Sequence, residues 1–319
     1  MNKQVYVVDG ARTPFGAFGG AFKDTSATEL GTVAAQGAME RSGIEPRDVE
    51  QIFFGNVMQT SADAIYLARH IGLKSDVPEE VPALTLNRLC GSGLQALVSG
   101  AQAMLLDEAD TVLAGGAENM SQAPYIVRGA RWGLRMGSTE FQDYLWESLT
   151  DSFCGCDMAN TAENLAEQYG ISREEVDEYA LRSQRLAAAA QEKCYFTAEI
   201  VPVPVKSKKA VVDVTRDEHP RGDTTIEVLS KLRPVFRENG VVTAGNASGI
   251  VDGAAAVVLQ TEKGLGEKQP LGRIISWWIV GVDPKIMGIG PAKAIPAALE
   301  RAGLELDEID LIEVNEAFS

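Results

Sequence analysis

No stretch of the chain approaches the ~18 consecutive apolar residues that a membrane span needs, so nothing in it reads as crossing a bilayer. Cysteine is scarce. Cys90, Cys154, Cys156 and Cys194 are the only four in 319 residues, too few for a disulfide framework at this length. No basic-plus-apolar leader precedes MNKQVYVVDGARTP and no transit peptide is seen, so the expected compartment is the cytoplasm, or the mitochondrial matrix in a eukaryote. Positive charge is in deficit: 29 Lys and Arg face 45 Asp and Glu, a net charge of −16. That argues against nucleic acid as a partner, because phosphate binding needs a basic face.

Other absences narrow the chemistry. His70 and His219 are the only histidines; His70 falls in the helix-like AIYLARHIGL and reads as structural, and His219 sits in the polar RDEHPRGD. Cys154-Gly155-Cys156 is a C-x-C with no second pair, so no metal site is expected. Neither GxxxxGK[ST] nor GxGxxG occurs, and the Gly-rich LAGGAEN and TAGNASGIVDG read as strand ends and turns.

What is present is an ordinary globular composition, 45% hydrophobic and 23% charged, in a chain long enough for two or three domain-sized units. Strand-like and helix-like segments alternate from the start: KQVYVVDG, then SATELGTVAAQGAMERSG, VEQIFFGNV, AIYLARHIGL, VPALTL, LQALVSGAQAMLLDE and ADTVLAGGAE. This alternation predicts an α/β domain with a layered, largely parallel sheet. After about residue 118 the rhythm breaks. An irregular insertion follows, with a Gly/Arg-rich piece (RGARWGLRMG), one long helix (SREEVDEYALRSQRLAAAAQEKC), an extended VPVPVKSKKAVVDV and a helix near TTIEVLSKL. The rhythm resumes with NASGIVDGAAAVVLQ, the strand-like LGRIISWWIVGVDP, the helix GPAKAIPAALERAG and the strand IDLIEVNEAF.

An internal repeat is visible. Residues 40–56 read ERSGIEPRDVEQIFFGN and residues 300–316 read ERAGLELDEIDLIEVNE, identical at Glu40/Glu300, Arg41/Arg301, Gly43/Gly303, Glu45/Glu305 and Ile52/Ile312. A Gly-capped helix end, a turn and a strand recur, through duplication or through a shared local type. Basic residues gather between positions 206 and 237 as KSKK, Arg216, Arg221, Lys231, Arg233 and Arg237, either a solvated face or a patch for one small anion. Trp277-Trp278 marks either an interface or alternate burial on a strand.

Cys90 carries the sharpest signal. In NRLCGSGL it sits where a strand gives way to a helix. A helix N-terminus offers partial positive charge and free N–H groups, which favour a thiolate, and the glycines allow a sharp turn and room for a carbonyl. A buried, inert cysteine is the plainer alternative. A cysteine nucleophile also wants a histidine nearby in space, and neither histidine has a convincing context.

Five separated motifs, NRLCGSGLQA, AGGAENMSQAPY, TAGNASGIVDGAAAVVL, MGIGPAKAI and VNEAF, resemble in order and spacing those of the thiolases, acyl-CoA C-acyltransferases that cleave or form 3-ketoacyl-CoA. YLARHIGL and the MGIGP segment are most similar to the degradative thiolases of mitochondrial type, implying fatty-acid β-oxidation. The resemblance implies the layered α-β-α-β-α thiolase fold of two similar halves with an inserted loop domain. The first half would comprise residues 1–118 and 244–262, the loop domain 119–243 and the start of an incomplete second half 263–319. It implies that Cys90 takes up the acyl group as a thioester, and that Asn315 holds a water in the oxyanion hole for the attacking enolate. Coenzyme A, a substrate and product with no permanently bound cofactor beside it, would meet Met158, Arg221, Phe236, Ala244, Ser248 and Phe318, with Arg221 near its nucleotide end. Acyl-CoA, coenzyme A and one or three further copies of the chain are the implied partners. Two departures matter. Asp157-Met158 stands where many biosynthetic members have a histidine before the methionine, which puts short-chain preference in doubt. The family pattern also continues past VNEAF with a Gly-His-Pro histidine and a Cys-x-Gly cysteine that the 319 residues do not contain. The expectation is therefore of an acyltransferase whose chain, as it stands, has little or no turnover, the alternative being a non-catalytic CoA-binding or oligomerisation protein.

Overall fold

The computed structural model describes residues 3–206 and 210–319; residues 207–209 of the basic KSKK run lie outside it. By contact the chain divides into two compact units, one of residues 1–123, 196–219 and 250–275, the other of 124–195, 220–249 and 276–319.

The first unit is built on one sheet. Its strands are β1 (Val5–Arg12), β2 (Gln51–Gly55), β3 (Ala83–Leu86), β4 (Thr111–Glu118), β5 (Val251–Thr261) and β6 (Gly272–Ile274), in the order β6-β1-β5-β4-β2-β3, with Gly16–Ala17 added against β5. The expected largely parallel sheet is in fact mixed. β2 runs parallel to both β3 and β4, but β5 is antiparallel to β1 and β4, and β6 is antiparallel to β1. Helical crossovers join the early strands and enforce the parallel pairs. β5 enters the sheet only after the long insertion, so no crossover sets its direction.

Two helices, α1 (Ala27–Ser42) and α2 (Leu67–Lys74), cover one face of this sheet. Ala27, Leu30, Ala34, Ala35 and Ala38 of α1 are fully buried, and with Leu67 and Ile71 of α2 they pack on Ile52, Phe54, Leu113 and Val258. Small residues permit the close approach: a Cβ on Gly31 would lie 2.3 Å from Ile71 Cδ1. The other face takes α3 (Ser92–Leu105), where a Cβ on Gly100 would meet Val112 at 2.8 Å and Leu259 at 3.2 Å. Val112 and Leu113 thus serve opposite layers, as strand alternation requires.

The second unit is mostly helical. α4 (Met158–Tyr169) and α5 (Arg173–Glu192) follow each other, and α6 (Gly290–Ala302) lies near the end of the chain. α4 was not evident from the sequence, because Ala159, Thr161, Glu163 and Ala166 form its buried face instead of large aliphatics. Its ends are marked all the same, by an Asp157 side chain that accepts from Asn160 N–H and by Gly170 in the left-handed region.

The internal repeat has a structural counterpart up to its last element. Gly43 (φ 61°) and Gly303 (φ 70°) end α1 and α6 in the same left-handed cap, and each is followed by a 3-10 turn. After that the copies diverge. Residues 51–55 join the sheet, whereas residues 310–315, expected as a strand, have no ladder partner among the described residues and leave Leu311 84% exposed. Likewise only Gly272–Ile274 of the expected strand LGRIISWWIVGVDP forms one. Trp277 beyond it lies under the Arg301 guanidinium at 5.1 Å from the ring centroid, and Trp278 is exposed.

Candidate active site

In the first unit the structure places Cys90 on the tight turn between β3 and α3, exposed to solvent. The turn is bent by Leu89, whose φ of 48° is unusual for a residue with a branched side chain. Ser92 holds the bend: its buried Oγ donates to Leu89 O at 2.6 Å and accepts from Arg88 N–H at 2.8 Å. Asn87 Oδ1 accepts from Leu89 N–H at 2.8 Å, and Gly91 and Ser92 N–H donate back to Arg88 and Leu89 carbonyls. Close packing underneath fixes the helix start, since a Cβ on Gly55 would lie 2.6 Å from Ser92 Cβ. The turn therefore displays the thiol at a helix N-terminus without burying it, unlike the buried cysteine of the plainer alternative.

The strand ends beside this turn carry two carboxylates, Glu118 half-buried and Asp252 buried. Glu118 accepts from Val57 N–H (2.8 Å), Met58 N–H (3.1 Å) and Asn56 Nδ2 (3.0 Å). Burial nonetheless pushes its carboxyl above the usual range, outweighing those hydrogen bonds. Asp252 accepts from Ser121 N–H and Oγ and is likewise pushed up by burial. His70 stacks on Tyr66 with centroids 5.4 Å apart, which suits the structural role expected of it.

His219 and Arg216 lie in the first unit, whereas Asn315 and the six residues that the resemblance assigns to coenzyme A lie in the second. There the motifs TAGNASG and VNEAF, more than sixty positions apart in the chain, come together. Ala247 and Phe318 form an antiparallel bridge, Ser248 N–H donates to Ala317 O (3.1 Å), and Ser319 N–H and Oγ donate to Asn246 O (3.0 and 2.9 Å). Ala244, Ser248 and Asn315 are exposed on this platform and Phe318 is half-buried. Phe236 stacks almost parallel on Trp146, centroids 6.4 Å apart. Met158 opens α4, half-buried, its N–H held by Leu149 O at 2.9 Å. Arg221 keeps its side chain exposed while its N–H is anchored by Gln184 Oε1 at 2.7 Å. Of the basic run, Arg237 is taken up by Asn164 and Glu167.

Sequence reasoning missed the groups that hold this platform. Asn246, 2% exposed, uses its whole amide: Oδ1 accepts from Thr243 N–H (2.7 Å) and Nδ2 donates to Asp177 and Val241 O (both 2.9 Å). Buried Asp177 is paired in turn with Arg173 at 2.8 Å. Glu163, 3% exposed, accepts from Val241 and Val242 N–H at 2.9 Å each. An isolated Asp or Glu on a polar helix gives no sequence signal of such burial. Asn246 within the glycine-rich TAGNASG was the one available hint.

The sequence matches the thiolase N-terminal domain over residues 5–263 and the thiolase C-terminal domain over residues 268–319. The chain belongs to the thiolase family. It is 52% identical over 318 residues to the mitochondrial 3-ketoacyl-CoA thiolase of Homo sapiens, covering 99% of this chain and 80% of that relative. It is 50% identical to the beta-ketothiolase BktB of Cupriavidus necator, covering 100% and 82%. The crystal structure of human mitochondrial 3-ketoacyl-CoA thiolase superposes with a TM-score of 0.96 at 51% identity, over 99% of this chain and 80% of that one. The same human enzyme in complex with CoA gives 0.95 at 51%, with the same coverage. The mixed α/β architecture is thus the thiolase fold, and acyl transfer is the chemistry these thiolases' names carry. Nothing in the likenesses supports the expectation of an inactive chain. No helix among the described residues is long and apolar enough to cross a membrane.

Proposed function

We propose that this thiolase transfers an acyl group between a 3-ketoacyl-CoA and coenzyme A through a thioester on Cys90. The observation that carries the reading is the exposed thiol on a turn stapled by Ser92 at the start of α3. The Cys90 sulfur attacks the 3-keto carbonyl, the bond between C2 and C3 breaks, and acetyl-CoA leaves as its enolate and takes up a proton. The thiol of a second coenzyme A then collects the acyl group and returns the Cys90 thiol. Claisen condensation is the same path reversed. Asn315, on the platform of the second unit, holds a water for the thioester oxygen, where developing negative charge is best met by fixed donors. Met158, Arg221, Phe236, Ala244, Ser248 and Phe318 form the coenzyme A surface, Arg221 facing its phosphates. A human thiolase of 51% identity is known in complex with CoA, which supports this assignment.

Degradative fatty-acid metabolism is the proposed setting, in line with the mitochondrial 3-ketoacyl-CoA thiolases among the relatives. The working form is a homodimer or homotetramer, to be read from light scattering. The deciding experiment is thiolysis of acetoacetyl-CoA and of a longer 3-ketoacyl-CoA. Turnover that vanishes in Cys90→Ala supports the reading, and the ratio of the two rates gives chain-length preference. A folded protein that binds coenzyme A without turnover points instead to the non-catalytic binding role.

A further inference from the structure

The glutamate that follows Asn315 in VNEAF is solvent-exposed, yet it is held by two donors from a single helix. Tyr179 Oη donates to Glu316 Oε1 at 3.0 Å and Ser183 Oγ donates to Glu316 Oε2 at 2.5 Å. Tyr179 and Ser183 are four residues apart on α5, so they stand one above the other on one helix face and match the two oxygens of one carboxylate. Hydrogen bonds to an ionised acceptor are shorter and about twice as strong as neutral ones. The tyrosine hydroxyl is pushed up above its ordinary range first by this donation to Glu316, in keeping with a proton retained in the contact.

Helix α5 is itself fixed. Arg173 donates to Leu229 O (2.8 Å) and Leu232 O (2.9 Å), and buried Asp177 carries the Asn246 amide. One helix thus anchors the TAGNASG loop through Asp177 and the VNEAF segment through Tyr179 and Ser183. Past Glu316 the backbone is tied again by Ser248 to Ala317 and by Ser319 to Asn246. Asn315 is bounded on its C-terminal side by a residue with both carboxylate oxygens engaged. A single loose residue there would let the Asn315 side chain swing.

We propose that Tyr179 and Ser183, acting through Glu316, are positioning residues that set the orientation of Asn315 for acyl transfer. The inference rests on the role given to Asn315 above. The clamp matters because misplacing a donor by an ångström at a reacting centre costs up to about a hundredfold in rate.

The test compares Tyr179→Phe, Ser183→Ala and their double variant with Asn315→Ala, in the whole chain, by steady-state thiolysis and by amide hydrogen exchange of residues 315–319. The double variant is expected to lose about tenfold in kcat with KM changed by less than about twofold. Exchange in the segment should rise while Tm holds. In a Glu316→Ala background neither substitution should have further effect, the signature of a shared route. A double variant with wild-type kcat, where Asn315→Ala loses rate, overturns the proposal. So does unchanged exchange at residues 315–319. If Asn315→Ala itself keeps full kcat, the role of Asn315 is wrong, and the exchange data alone then decide whether the clamp exists.

Discussion

Ser92 is a small buried hydroxyl with two bonds that both serve one bend. Ser92→Ala leaves Arg88 N–H without its acceptor and frees Leu89 to leave the left-handed region. The expected loss is about 1–3 kcal/mol in urea unfolding, together with slower acylation of Cys90. Asn246→Ala should cost a similar amount or more, because it strips Thr243 N–H, Val241 O and buried Asp177 of their partner at once. An unchanged unfolding midpoint for either variant contradicts the role given to it. At this scale the sequence was legible where a residue type and its position agree. Cys90 beside Gly-Ser-Gly at a strand-helix joint was readable, whereas Glu163 and Asp177 look like any solvated helix carboxylate until the chain they cap is in place.

The elements were legible wherever apolar residues, large or small, recur with a helical or strand period. α1, α3, α5, β4 and β5 all follow from such patterns. α4 did not, because its buried face is alanine, threonine and glutamate. The reverse failure occurs at residues 309–314, where IDLIEV has strand composition but pairs with no strand among the described residues. Strand character needs a neighbour as well as a pattern. Contact between elements yields its own prediction. Gly55→Ala sets a methyl 2.6 Å from Ser92 Cβ at the junction of β2 with α3, which forces the helix start to shift. A loss of about 1–3 kcal/mol is expected in urea or thermal unfolding, along with weaker thiolysis, since the displaced helix carries the Cys90 turn. Wild-type values of both would mean that the close approach has no consequence.

For the whole molecule, half-buried Glu118 and buried Asp252 contribute to the pH dependence of stability with a sign opposite to that of Asp63, Asp110, Glu175 and Glu227, whose carboxyls are held below the usual range. Burial raises both pKa values in the folded state above their unfolded ones. Between those values the folded chain binds more protons than the unfolded chain, so their contribution to stability falls as pH rises through the window, from about pH 4 upward. Asp252→Asn, which can still accept from Ser121 N–H, is predicted to make the slope of Tm against pH more positive than that of the wild type over this range, because the falling contribution of Asp252 is removed. A slope equal to that of the wild type would contradict the assignment. The net charge of −16 has no legible link to a binding face; the coenzyme A surface proposed above rests on the family resemblance and not on charge. The central claim, that Cys90 carries the acyl group, is tested most directly by intact mass spectrometry of the chain mixed with a 3-ketoacyl-CoA and quenched in acid. The account predicts an added acyl group that maps to the Cys90 peptide, is removed by coenzyme A and is missing in Cys90→Ala. An unmodified chain, or an adduct that survives in Cys90→Ala, would contradict it.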